Sequence, residues 1–407
     1  MKTNVFCFLI IVVFFLQRVN GQDKFPVWKE GEMEIHHINT GRGEQIFCIF
    51  PDGTTMLMDA GDLPPDPSNT DPLPDDSRQP GEWIARYILN LLPNPDKKKI
   101  DYFLLTHFHG DHMGTLANNP PKTKTGGDYL LSGVTEVAEY IQFSKLVDRD
   151  WPLYNYPQPL IGGLFENYKS FVNWSVRNSG MKAERFMPGV SEQFVLVNNP
   201  GKYAKLFEVR NIVSNGEVWT GIGNQTRKYF PDTFVAGQVG ENNCSTGVRI
   251  SYGKFDYFNG GDIYGKTPFN APEWQNIERP VGQITGPVEV CTANHHAWID
   301  AMSEYFLSCL QPQVIVIHVR EIKHLNNVTL KNMSSKDIYA GDRDIFATNI
   351  PEISKQYVGP DINRITDGNG HIVVKVEPEG NSYHVYVLDA SNESFFVKAV
   401  YGPYICN

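Results

Sequence analysis

The chain has 407 residues, enough for one large domain with insertions or for two domains. An apolar content of 41% supports a sizeable core, and a formal net charge of -10 argues against a strongly basic nucleic-acid surface. A nuclease whose positive charge comes from bound metal ions stays within these bounds.

Met1-Lys2 precedes the apolar run Val5–Leu16, and Val19-Asn20-Gly21 offers small residues for cleavage. Residues 1–21 therefore read as a secretory signal peptide, since the run is short against the span of about 20 residues that a membrane helix needs. Residues 22–407 are then expected to be secreted or periplasmic, with no membrane segment after cleavage. Cys48, Cys244, Cys291, Cys309 and Cys406 remain, scattered and odd in number, which is no disulfide framework.

Met33–Thr40, Gln45–Phe50 and Thr54–Asp59 predict strands, with a tight turn at Pro51-Asp52-Gly53. Leu63–Pro80, rich in Pro and Asp, predicts a surface loop placed to rim an active site. Glu82–Leu92 carries Trp83, Ile84, Tyr87, Ile88 and Leu91 at helical spacing and is stopped by Pro93 and Pro95. Ile100–Leu105 has the length and composition of a buried strand.

Directly after that strand comes Thr106-His107-Phe108-His109-Gly110-Asp111-His112. On a loop leaving a strand, His107 and His109 can share one cation while Asp111 and His112 turn toward a second. Imidazole nitrogen with carboxylate oxygen suits zinc, and also iron or manganese. A polar turn would account for a lone histidine, but four ligand-type side chains in one turn point to metal binding.

Residues from about 118 to 200 read as an insertion, with helices over Val134–Val147 and Leu164–Asn178. Trp151, Tyr154 and Tyr156 lie between them, and core packing of the insertion accounts for them better than a substrate wall does. Phe194–Val197, Phe207–Val213 and Gly247–Tyr252 alternate like strands, and Phe255–Phe258 runs on to Asp262. Asp300–Leu310 predicts a helix and Val314–His318 a buried strand. Val328 to about Asn363 reads as irregular and polar. His371–Val376 and Tyr383–Leu388 predict a hairpin within the C-terminal strands of about 365–400. His36 and His37 fall in a strand with a core face and read as structural. Strands, a helix and strands again fit an α/β (α+β) chain folded as a four-layer αββα sandwich.

His107-x-His109-x-Asp111-His112 resembles the signature of the metallo-β-lactamase superfamily. Asn259-Gly260-Gly261-Asp262 resembles that family's strand-ending Gly-Asp. Asn294-His295-His296-Ala297 resembles the His-His-Gly-Ser element of the ComEC competence-type branch. Ile38–Gln45 followed by Met58-Asp59-Ala60-Gly61 resembles the opening strands of the same branch. The resemblance implies a metallo-β-lactamase-like sandwich with a helical insertion. It further implies His107 and His109 on a first metal and Asp111 and His112 on a second. Asp262 would bridge them, and His295 or His296 would complete the second site. Asp111 and His112 are the implied catalytic pair, Asp111 orienting a hydroxide held between the metals. Asp59 is the position that braces a ligand histidine.

The implied activity is a secreted metal-dependent hydrolase carrying one or two zinc ions, with manganese as the alternative. Its favoured substrate is a phosphodiester, either a small molecule or a nucleic acid. Lactone or β-lactam hydrolysis is the second reading, and a non-catalytic metal-bearing binding protein is the third. The chain departs from the family at Ala297-Trp298, where the ComEC branch has Gly-Ser. It also lacks a histidine between His112 and Asp262, where the superfamily usually has one about twenty residues before the aspartate. Glu241-Asn242-Asn243-Cys244-Ser245 holds that place. Counting back from Ser245 makes Glu241 the candidate donor and Asn243 the next, with a turn that supplies no ligand equally open.

Overall fold

The computed structural model describes residues 23–116, 120–235, 237–265 and 272–407. Its strands form two nine-stranded sheets. In the first, Met33–His37, Ile46–Ile49 and Thr55–Met58 pair antiparallel in succession. Lys99–Leu104, Gln142–Asp148 and Lys182–Arg185 then add in parallel. On the other flank, His371–Val376, Ser382–Leu388 and Val397–Ile405 return antiparallel, the first of them onto Met33–His37. The second sheet centres on antiparallel Phe207–Ser214, Gly247–Tyr252 and Phe255–Asn259. Val290–Thr292, Val314–Ile317 and Asp344–Ala347 extend it in parallel.

The side-chain alternation of each strand sets the layers. Ile46, Cys48, Met56, Met58 and Leu104 meet Val248, Ile250, Val290 and Val316 of the other sheet in a core between the two. Their neighbours Phe47, Leu57 and Phe103 face outward, under helices that contribute Ile84, Ile88, Val137 and Phe171. Phe258, Cys291 and Ile315 do the same on the far side, covered by Val281, Phe306 and Leu330. Because both faces of each sheet are covered, the central strands are buried along their length. This mixed α/β arrangement of helix, sheet, sheet and helix is the sandwich expected from the sequence.

Four segments differ from expectation, the first being Phe194–Val197, expected as a strand and found as bends and loop. Val134–Val147 is not one helix: it is helix over Val134–Tyr140 and strand over Gln142–Asp148. Phe143 and Leu146 suit a helical period, but parallel pairing with Lys99–Leu104 decides the outcome. The stretch after Val328 is not irregular. It holds the helix Asn327–Ser334, the strand Asp344–Ala347 and the helix Glu352–Val358. Asn326 caps the first helix by accepting from the backbone of Val328 and Thr329, a signal hidden by the polar composition. The helix expected over Asp300–Leu310 starts at Glu304, after the N-cap Ser303.

The expected signal peptide lies outside the described residues. Among the described residues no helix is long and apolar enough to cross a membrane, and the five cysteines are free.

Phe103 is fully buried and stacks on Phe143 with ring centroids 4.8 Å apart and planes 8° from parallel. Phe103→Ala is expected to cost about 3–5 kcal/mol. Urea unfolding should show this as a lowered midpoint at an unchanged slope.

Candidate metal centre

The centre is built where the strand Lys99–Leu104 ends. The backbone N–H and hydroxyl of Thr106 each donate to the Asp59 carboxylate at 2.7 Å. Asp59 sits at φ 60°, a left-handed conformation that turns its side chain back under this loop. It also accepts from His112 Nδ1 at 2.7 Å, which leaves His112 Nε2 free to face a cation. Gly43 and Gly61 pack on the backbone of Asp111. A Cβ would lie 2.6 Å from the Asp111 carbonyl oxygen at Gly43 and 1.9 Å from it at Gly61. With no Cβ in the way, the Glu44 N–H reaches that carbonyl at 2.8 Å.

Two clusters of donor atoms result, and both include Asp262. His107, His109 and Asp262 form the first. His107 Nε2 lies 3.1 Å from His109 Nδ1 and 3.6 Å from Asp262 Oδ2. Glu44, His112, Asp262 and His296 form the second. His112 Nε2 lies 3.3 Å from Asp262 Oδ1 and 3.2 Å from His296 Nε2. Asp111 flanks this second cluster, its Oδ2 3.1 Å from His296 Nε2 and 3.8 Å from His112 Nε2. Sequence reasoning missed Glu44. It lies in the Gly41–Gln45 stretch, which reads as a strand opening, and only the glycine-permitted approach to Asp111 brings it here.

The electrostatics fit divalent cations. Burial opposes the charge of Asp262, but His112, His296 and His107 hold its carboxyl well below the usual carboxylate range. Burial likewise opposes a proton on His112, yet Asp262, Asp111 and Asp59 lift it well above the usual histidine value. Burial pushes the Glu44 carboxyl well up and His107 well down. Asp262 Oδ1 and Glu44 Oε1 are buried with no hydrogen-bond partner among the described residues. Facing imidazole nitrogens and unpartnered carboxylate oxygens are costly together, and a bound cation satisfies both at once.

Surrounding groups hold the donors. His296 Nδ1 meets the His318 carbonyl at 3.2 Å, and its ring stacks on His324 at 4.6 Å. His295, His296 and Ala297 run consecutively at φ 47°, 52° and 61°, strain that swings the two histidines apart. The Arg320 guanidinium grips Asp111 Oδ2. Ser245 Oγ accepts from the Asp262 N–H at 3.1 Å.

Three expected ligands stand outside the two clusters: Asp111, which flanks the second, Glu241 and His295. Glu241 joins neither cluster, because the buried guanidinium of Arg149 binds both its oxygens, at 2.8 and 2.6 Å, and Phe108 N–H donates to it at 2.9 Å. It positions the His107–His109 turn from outside. His295 also stays out: its Nδ1 bonds Asp300 at 2.8 Å and its Nε2 meets Asn242 at 2.9 Å. Asn243, the next candidate, is spent on Gln275 and Tyr264. His36 is structural, bonded to Tyr87 and Glu34, and His37 is paired with His318 at 3.0 Å.

No family model matches this chain, and no curated protein matches it in sequence. Among solved structures it is similar to a mutant of the β-hydroxylase CmlA, with TM-score 0.39 and 11% identity over 78% of this chain. The chain spans about half of CmlA, 52% of its length. It is similar to the metallo-β-lactamase fold protein YhfI from Bacillus subtilis, with TM-score 0.37 and 9% identity over 77% of this chain and 96% of that one. It is also similar to Zn2+-bound PqqB from Methylobacterium extorquens, with TM-score 0.35 and 10% identity over 76% of this chain and 94% of that one.

The first cluster offers fewer donors than the second. Dialysis of metal-loaded protein against a mild chelator should therefore remove one equivalent well before the other, as followed by metal analysis; simultaneous loss would contradict this. Glu241→Ala strands a guanidinium with no solvent exposure and should cost about 3–5 kcal/mol in urea unfolding. Metal content per folded molecule should be unchanged. Loss of one metal with stability intact would restore Glu241 as a ligand.

Proposed function

We propose that this chain is a metal-dependent hydrolase of the metallo-β-lactamase superfamily, of the ComEC-like kind, acting on phosphodiester bonds. The observation that carries the reading is the pair of buried donor clusters sharing Asp262. His107, His109 and Asp262 would hold one cation, and Glu44, His112, Asp262 and His296 the other, with Asp111 beside them. Histidine-rich donor sets favour zinc, and the carboxylates keep manganese within range. Such cations supply Lewis acidity toward the scissile group and a nucleophile at neutral pH.

The protein's own groups do the rest. Asp59 and the His318 carbonyl fix the rings of His112 and His296. Asp111, restrained by Arg320, would accept a hydrogen bond from the attacking water and so orient it. The Asp300-bonded His295 stands at the side of the centre, part-exposed, where it can contact a substrate. The basic and apolar Met1–Gly21 stretch supports export, so we place the activity outside the cell or in the periplasm.

Metal-loaded protein should turn over bis-p-nitrophenyl phosphate with zinc or manganese, and faster than nitrocefin or an acyl lactone. His109→Ala should abolish turnover and lower metal content while leaving the circular-dichroism spectrum intact. Asp59→Ala should lower metal affinity or activity about 10–100-fold. Faster lactone or nitrocefin turnover would move the chain to the second substrate class. Inertness of fully metal-loaded protein toward all three would overturn the enzymatic reading.

A further inference from the structure

Beside the metal centre lies a cavity of about 270 Å³, walled by Thr40, Arg42, Asp62, Thr115 and, from the Leu63–Pro80 loop, Arg78. The loop is anchored over it. Thr70 N–H donates to the Arg320 carbonyl at 2.9 Å and Ile322 N–H to the Ser68 carbonyl at 3.0 Å, while Leu63 N–H reaches the Arg42 carbonyl at 2.9 Å. At Gly41, φ 70°, a Cβ would sit 1.9 Å from the Asp71 carbonyl, so the loop is packed down on the strand end. The same short stretch carries Glu44 into the second donor cluster, two residues on.

Arg42 is the unusual group in this wall. The residue is 6% exposed, and its Nη1 is buried with no hydrogen-bond partner among the described residues. No carboxylate of the described residues lies within ion-pair distance of it, although every other largely buried arginine of the centre has one: Arg149 has Glu241 and Arg320 has Asp111. The buried acid of this wall, Asp62, accepts from the Ser132 hydroxyl at 3.0 Å and from Gly133 N–H. Asp71, the carboxylate whose charge acts most on Arg42, is exposed to solvent, as are Asp75 and Asp76, and solvent screens all three. A guanidinium cannot shed its charge by deprotonation, and it presents a planar fork of donors matched to an oxyanion. Leaving it buried and unpaired is costly, and water supplies hydrogen bonds without the counter-charge.

We propose that this cavity is an oxyanion-binding site in which Arg42 receives a carboxylate or phosphate group. This stands on the geometry around Arg42 and is independent of the reaction proposed above. Because Arg42 stands two residues before the donor Glu44, an anionic group at a distance from a substrate's reacting bond is a suitable occupant.

The test is calorimetric titration of the metal-loaded full-length chain with inorganic phosphate and, separately, with acetate, for the wild type, Arg42→Met and Arg42→Lys. Phosphate binding at the metals is common to all three proteins. The wild type should take up one further equivalent of one of the two anions, and Arg42→Met should bind it at least about tenfold more weakly, the loss of a charge-assisted pair. Arg42→Lys should recover part of the affinity. The anion that shows the Arg42-dependent equivalent identifies the group the cavity takes. Equal stoichiometry and affinity in the wild type and Arg42→Met, for both anions, would overturn the proposal. Should Arg42→Met not fold, the wild type and Arg42→Lys still decide, because identical isotherms without a second equivalent reject the site.

Discussion

The Asp262 carboxylate, shared between two sets of histidines, is the constraint on which the centre depends. Four acids, Glu44, Asp59, Asp111 and Asp262, are buried within one small volume, and burying ionised carboxylates costs several kcal/mol each unless they are compensated. The protein compensates them unequally. Asp59 takes two hydrogen bonds from Thr106 and one from His112, and Asp111 has Arg320. Asp262 and Glu44 each keep an oxygen with no partner among the described residues. The acids that are fully bonded support the site, and those left with a bare oxygen are the ones a cation would complete.

Strand ends deliver these groups. Thr55–Met58 and Lys99–Leu104 run parallel, and their carboxyl ends lead into Asp59 and Thr106. Phe255–Asn259, Val290–Thr292 and Val314–Ile317 are likewise mutually parallel and lead into Asp262, His296 and His318. Ligand positions outside the carboxyl ends of parallel strands are a general outcome of such sheets. Here each sheet provides only part of the donor set, so the centre exists only when the two sheets face each other across their common core.

The histidine turn and the two-sheet outline were legible in the sequence because both are local signals: four donors in one turn, and alternation along short strands. Glu44 was not legible, since its place depends on two glycines meeting a backbone carbonyl far along the chain. Glu241 was misread for a similar reason. Its spacing to Ser245 matched a ligand position, but Arg149, 92 residues away in sequence, claims it. His295 and His296 could not be told apart by pattern, because left-handed backbone at both decides which ring enters the centre. The short helices and strand after Val328 were lost in polar composition, where a cap such as Asn326 is the only local cue.

At Ala297 the resemblance drawn from the sequence would put glycine. An L-residue in left-handed backbone costs roughly 1 kcal/mol relative to glycine, and this alanine stands at φ 61°. Its methyl group is fully buried in the outer core of the second sheet, where burying one such group returns about 0.8 kcal/mol. The two effects nearly cancel, so exchange between glycine and alanine at this position is close to neutral for the fold. Glycine and alanine are therefore nearly interchangeable at this position, while larger side chains at the same backbone angle would meet both the strain and a filled core.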